Sequence, residues 1–222
     1  MYQSFETTAE PQFGAERVAR LREKLAALEV DGFLVPRADE YQGEYVPASA
    51  ERLAWLTGFT GSAGVALILR DQAIVFVDGR YTTQLKEQVD GNVFTGGDLI
   101  GQPPHKWLAA NAPAGFRLAI DPWLHTRSEV RRLQKALADK DGHVVFVRSN
   151  PLDEIWTDRP AEPLGLVQIQ QLEHAGELAV DKIGRLAEKV DEAGAGAVVL
   201  TDPSSVAWAF NLRGTDVPHT PH

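Results

Sequence analysis

Cysteine is absent from the 222 residues and methionine occurs once. Without a thiol there is no disulfide scaffold, no thiolate metal site and no cysteine nucleophile. Basic residues are also scarce, 22 Lys and Arg against 31 Asp and Glu, giving a net charge of −9. Phosphate backbones and anionic bilayers call for a basic face, so the expectation is no nucleic-acid partner and no membrane partner. No apolar run approaches the roughly 20 residues of a membrane span. The opening residues, MYQSFETTAEPQFGAER, are polar and acidic and lack the apolar segment of a secretory leader. What remains is a soluble, cytoplasmic α/β protein, 44% hydrophobic and long enough to bury a sizeable core.

The order of elements follows from periodicity. Residues 15–29 place Val18, Leu21, Leu25 and Leu28 at three- and four-residue spacing, which predicts a helix. Asp31-Gly32 stops it, and Phe33-Leu34-Val35 reads as a short buried strand closed by Pro36. A polar loop (38–50) and a short helix ending near Gly58 follow. GVALILRD (64–71) and QAIVFVD (72–78) are β-branched runs that meet at a polar turn, an antiparallel hairpin. Next come a helix over 80–90, a Gly/Pro-rich segment over 96–104, and a helix over 104–111. A strand over 116–120, a helix over 126–138 and a strand over 143–147 complete the unit. The pattern predicts a mixed sheet covered by helices in a domain over 1–148. Residues 149–171, with Pro151, Pro160 and Pro163, read as a connector on which Trp156 serves as an anchor. Beyond it, a helix over 173–193, a strand over AVVL (197–200) and a helix over 204–212 form part of a second domain, 172–222.

The chain resembles itself. VARLREKLAALEVDGFLVP (18–36) lies over IGRLAEKVDEAGAGAVVLT (183–201), with Arg20/Arg185, Leu21/Leu186, Glu23/Glu188 and Lys24/Lys189 identical. LAWLTGFTGS (53–62) then lies over VAWAFNLRGT (206–215). If the repeat is real, the second copy lacks the strands that follow in the first, and the sequence is expected to be a fragment of a longer protein.

Several motifs fail on inspection. AGAGAVV (193–199) puts its glycines before a strand instead of after one, the reverse of a dinucleotide fingerprint. TGSAG (60–64) has Thr60 where a nucleophile elbow needs glycine. There is no HExxH; His219 and His222 have neither a helix nor a nearby carboxylate cluster to make a metal pair, and His105, His125, His143 and His174 are expected as scattered surface side chains. FTGSAG (59–64) suits a tight turn or a close backbone approach. In Asp78-Gly79-Arg80-Tyr81, Arg80 either pairs on the surface with Asp78 or Glu87 or offers a planar fork to a carboxylate or carbonyl.

GEYVP (43–47), FTGSAG (59–64), DGRY (78–81), IWTDRP (155–160) and FNLRGTDVPHTP (210–221) occur here in one order. In that order the chain resembles the N-terminal part of the long, three-domain Xaa-Pro aminopeptidases, over roughly residues 15–222. Prolidases and creatinases are similar through a single N-terminal domain but lack the WTDRP connector. The resemblance implies a creatinase N-terminal-type α/β domain with a mixed sheet, followed by the start of a second similar domain. It also implies a "pita-bread" catalytic domain outside this sequence, holding two divalent metal ions (Mn or Zn) through two Asp, one His and two Glu. No catalytic or metal-ligating residue is expected within these 222 residues. By the same resemblance Arg80 and His219 are substrate-binding residues, contacting peptides with proline at position two, and the whole enzyme is a cytoplasmic homodimer. Pro218 stands where relatives commonly carry Glu. The competing reading is a stand-alone oligomerisation or peptide-binding module without hydrolytic activity.

Overall fold

The computed structural model describes residues 9–217, 219 and 220. The chain divides into two compact units, residues 1–40 with 51–159 and residues 41–50 with 160–222.

The first unit is built on a six-stranded sheet. Its strands are β1 (Gly32–Pro36), β2 (Gly64–Leu69), β3 (Ala73–Val77), β4 (Thr95–Asp98), β5 (Arg117–Ile120) and β6 (His143–Phe146), in the order β4-β3-β2-β1-β5-β6. The hairpin expected over 64–78 forms, with β2 antiparallel to β3 and to β1. The β3–β4, β1–β5 and β5–β6 pairs are parallel, so the sheet is mixed, as the element order implied. Alternation within the strands assigns each side chain to a face. Phe33, Val35, Ala66, Ile68, Val75 and Val77 face one apolar layer with Val18, Leu21 and Leu25 of helix α1 (Gly14–Ala27), Leu53 and Leu56 of α2 (Arg52–Thr57) and Leu85 of α3 (Thr82–Gln88). Leu34, Leu67, Leu69, Ile74 and Phe76 face a second layer with Leu108 of α4 (Pro104–Asn111) and Leu133 and Leu137 of α5 (Arg127–Ala138). Both faces are covered, which explains why the strands read as near-continuous apolar runs.

Helix α5 opens on a reciprocal capping box: Thr126 accepts from the Glu129 backbone while the Glu129 carboxylate accepts from the Thr126 N–H. Strand β4 falls inside the segment expected as irregular. TGGD has little strand preference, but Gly97 packs where a Cβ would lie 2.4 Å from the Phe76 ring, so glycine is what lets this edge strand close on β3. Residues 149–159, expected in the connector, pack with the first unit: Leu152, Ile155 and Trp156 are buried in its core.

His125 departs from its expected surface position. Its Nε2 is sealed from solvent without a hydrogen-bond partner, and burial pulls its pKa below the ordinary value, with Glu129 and Asp121 opposing. The folded chain therefore refuses a proton that the unfolded chain accepts. The stability this contributes is complete above about pH 6.5 and is lost as the pH falls below it. His105 is shifted in the same direction, again chiefly by burial. The melting temperature is expected to fall between pH 7.5 and pH 5, and the fall should be smaller in His125→Gln. Equal pH dependence in the two proteins would count against this assignment.

The second unit contains α6 (Leu172–Ala175), α7 (Ala179–Glu192) and α8 (Pro203–Phe210), with a two-stranded antiparallel ladder of β7 (Gln168–Ile169) and β8 (Leu212–Arg213). The single helix expected over 173–193 is broken because Gly176, at φ 74°, ends α6 in the left-handed region. The strand expected over 197–200 is absent: a strand exists only with a ladder partner, and none among the described residues pairs with this segment. Its apolar side chains are open, Val199 being 83% exposed.

The internal repeat is present in the geometry. Helices α1 and α7 span equivalent positions, and their caps, Leu28 and Ala193, donate to the equivalent carbonyls of Lys24 and Lys189. One residue on, Glu29 and Gly194 both take positive φ, 55° and 65°. Val30 then bonds the Leu25 carbonyl at 3.1 Å, and Ala195 the Val190 carbonyl at 3.0 Å. Helices α2 and α8 both end on a left-handed residue, Gly58 and Asn211.

Candidate functional site

Arg80 belongs to the first unit and His219 to the second. Strand β3 ends at Val77, and the chain turns through Asp78-Gly79-Arg80-Tyr81 into α3. The Asp78 carboxylate accepts from the Arg80 backbone N–H at 2.9 Å and from its guanidinium Nη2 at 2.7 Å and Nε at 3.2 Å. The Arg80 side-chain hydrogen bond holds the Asp78 carboxyl below the usual range, so this pair is charged at neutral pH. The surface ion pair weighed from sequence is therefore formed, with Asp78 as a partner. It still leaves the Arg80 side chain 70% exposed, and the guanidinium lies 5.2 Å from the Tyr81 ring.

The neighbouring FTGSAG turn buttresses this arrangement. Phe59 meets Tyr81 edge-on at 5.8 Å, and the Ser62 hydroxyl lies 2.6 Å from the Tyr81 hydroxyl. A Cβ on Gly61 would fall 2.2 Å from the Phe59 ring and 2.8 Å from Tyr81, so the close approach expected of this turn requires glycine. Thr60 also lines an open cleft of about 320 Å³ with Glu10, Glu51, Ala54, Trp55 and Trp156. Burial raises the Glu51 carboxyl above its usual range, with Arg37 opposing.

In the second unit two motifs far apart in sequence meet. The Tyr45 ring of GEYVP lies 5.6 Å from the His219 imidazole of RGTDVPH. His219 sits at φ 63°, and the Asp216 carboxylate upstream accepts from the Gly165 N–H at 2.6 Å. Pro218 and His222 lie outside the described residues. The contact between Tyr45 and His219 had no sequence signal beyond the order of the motifs, because nothing local marks residues 41–50 as part of the second unit.

Among the described residues no group of three or more His, Asp or Glu side chains is placed to hold a metal ion. The donor set among the described residues does not fit a two-metal centre. Among the same residues no helix is long and apolar enough to cross a membrane.

The sequence that builds this mixed sheet with two helical layers is matched by the Creatinase/Prolidase N-terminal domain at residues 17–154, and residues 158–222 are matched by a second domain of that description. The chain belongs to the creatinase/prolidase N-terminal domain family. Its relatives are Xaa-Pro aminopeptidases, and the chain corresponds to their N-terminal region. "Probable Xaa-Pro aminopeptidase P" of Coccidioides posadasii (strain RMSCC 757 / Silveira) is 35% identical over 93% of this chain and 34% of its own length. "Aminopeptidase P2" of Arabidopsis thaliana is 34% identical over 86% of this chain and 28% of its own. The X-prolyl aminopeptidase of Caenorhabditis elegans, described as a cytosolic enzyme with a di-nuclear active site, superposes with a TM-score of 0.86 at 30% identity, over 94% of this chain and 36% of that one. The chain spans about a third of the length of these proteins.

Proposed function

We propose that this chain is the non-catalytic N-terminal region of a metal-dependent Xaa-Pro aminopeptidase, which removes the N-terminal residue ahead of a penultimate proline. The observation that carries the reading is Arg80: a guanidinium aimed by its own carboxylate and largely open to solvent, on a turn that Gly61, Phe59 and Tyr81 hold in place. A charged planar fork in that setting suits a peptide carbonyl or carboxylate. His219 is the second residue assigned a substrate contact. The two divalent ions, Mn or Zn, belong to a catalytic domain outside these 222 residues. Subunit assembly into a homodimer and a cytosolic location complete the reading, the latter supported by the Caenorhabditis elegans relative.

The test compares two proteins. The 222-residue chain, incubated with an Xaa-Pro peptide and Mn²⁺, is expected to release no N-terminal residue above a metal-only blank, because two-metal hydrolysis draws its nucleophile from the ion pair. A protein whose reading frame continues beyond His222 into two Asp, one His and two Glu ligands should cleave the same peptide. Turnover by the short chain would overturn the non-catalytic assignment. Failure of the longer protein to cleave would favour the binding module.

A further inference from the structure

The repeat places a cation at the same position in both copies. In the first, Arg17 on α1 donates from Nη1 to the Trp55 carbonyl at 2.5 Å and lies 4.6 Å from the Trp55 ring. In the second, Lys182 on α7 donates from Nζ to the Trp208 carbonyl at 3.0 Å and lies 4.6 Å from the Trp208 ring. Arg17 and Lys182 are equivalent in the α1/α7 alignment, and Trp55 and Trp208 in the α2/α8 alignment. Each tryptophan stands in the last turn of its short helix, where the carbonyls point outward and the helix dipole is negative. Cation, indole face and helix C-terminus thus form one device, used twice.

The two copies differ in what the cation reaches next. In the first, the residue that ends the helix is Gly58, which has no side chain to offer, and Arg17 pairs instead with the Glu10 carboxylate at 3.1 Å. In the second it is Asn211, whose Oδ1 accepts from Lys182 Nζ at 2.7 Å. An ammonium has three donors. Here one goes to the Trp208 carbonyl and one to Asn211, and the indole face takes the charge on the remaining side. Lys182 is 4% exposed; among the described residues it forms no ion pair, and its charge helps hold the Glu177 carboxyl below its usual range. Asn211 is fixed from the other end too, its Nδ2 donating to the Glu177 carbonyl at 2.8 Å and its own carbonyl accepting from Gln170 N–H at 2.7 Å. With φ 54°, Asn211 sets the direction in which the chain leaves α8. What leaves is β8, then Asp216 and His219.

We propose that Lys182 is a positioning residue: by clamping Trp208 and Asn211 it fixes the left-handed exit from α8 and hence the path of residues 212–217. For the role of that path in substrate contact, the proposal rests on the enzymatic reading above. Removing the charge while keeping the length, as in Lys182→Met, leaves an apolar chain against Trp208 but removes the bond to Asn211 Oδ1, leaving that side chain held only through Nδ2. Lys182→Arg restores the cation that the first copy already uses.

The deciding measurement is residue-resolved amide hydrogen exchange on the 222-residue chain. In Lys182→Met, the amides of Gln170 and Arg213 should exchange about 10-fold faster or more, while those within α7 hold and the far-ultraviolet circular dichroism is unchanged. Lys182→Arg should recover most of the protection. Uniform loss across α7 and α8 would make Lys182 merely structural and overturn the proposal, as would exchange unchanged from wild type. Kinetics on the whole enzyme form the second arm: Lys182→Met should raise KM about 10-fold with kcat within about threefold of wild type. Unaltered KM beside an active wild type also overturns the proposal. A wild type that cleaves no Xaa-Pro peptide counts against the enzymatic reading, and the exchange result still decides whether Lys182 sets the path of the segment.

Discussion

Trp156→Ala is expected to lower the stability of the first unit by about 3–5 kcal/mol, the cost of emptying a large aromatic site in a core. Trp156 is 7% exposed and stacks on Trp55 with ring centroids 5.2 Å apart and planes 20° from parallel. The surrounding leg cannot easily collapse into the space, because it is pinned on both sides. Arg52 holds Asp153 through two bonds of 2.7 and 2.9 Å, and Arg159 reaches the same carboxylate at 2.9 Å. Arg20 donates to the Ile155 carbonyl at 2.6 Å, and Lys24 to Glu154 at 2.8 Å. A loss of this size is a large share of the roughly 5–15 kcal/mol by which domains are stable, so the melting temperature should fall on the order of 10 °C. Trp156→Phe keeps a flat ring over Trp55 and should cost about half as much. Thermal melts followed by near-ultraviolet circular dichroism measure both, and a change below about 1 kcal/mol for the alanine variant would return Trp156 to an exposed anchor on a connector.

In the whole enzyme, Arg80→Ala should lower kcat/KM about 10- to 100-fold while the melting temperature barely moves. An exposed ion pair such as Arg80–Asp78 contributes at most about 1 kcal/mol to folding, so its loss is nearly silent in a melt. A charged hydrogen bond to substrate is worth about 1.5–3 kcal/mol, which is the stated range of rate. Arg80→Lys should recover only part, because an ammonium is a point charge and cannot reproduce a two-pronged contact. Unchanged kcat/KM would leave Arg80 as a surface ion pair, and a large fall in melting temperature would make it a structural residue.

The helices were legible in the sequence wherever one apolar stripe dominated: Val18, Leu21 and Leu25 are buried as their spacing required, though Leu28, at the cap, is exposed. The hairpin was legible because two β-branched runs met at a polar turn. Strand β4 was not, since its strand character comes from the fit of Gly97 against Phe76, a tertiary contact invisible along the chain. AVVL carried strand composition without a partner, and composition alone does not make a ladder. Arg80 and His219 stood out through family resemblance; on residue type alone Arg80 reads first as a surface ion pair and His219 as a histidine without a metal partner. Lys182 was within reach, because it aligns with Arg17 and its partner Trp208 with Trp55, but matching identical residues passes over a pair that shares only its charge.

Residues 41–50 interrupt the first unit in sequence yet belong to the second, and this has a consequence for the order of events during synthesis. Tyr45 leaves the ribosome 174 positions before His219, a delay of roughly 10–35 s at about 5–20 residues per second. The six strands of the first sheet are complete once Phe146 has emerged, so that unit can close while its guest loop still has no partner. By then both ends of the loop are held at Glu40 and Glu51, and a short tethered segment loses little further entropy when it docks. GEYVP is thus synthesised well before the segment it meets, and the second unit can close only once His219 has followed.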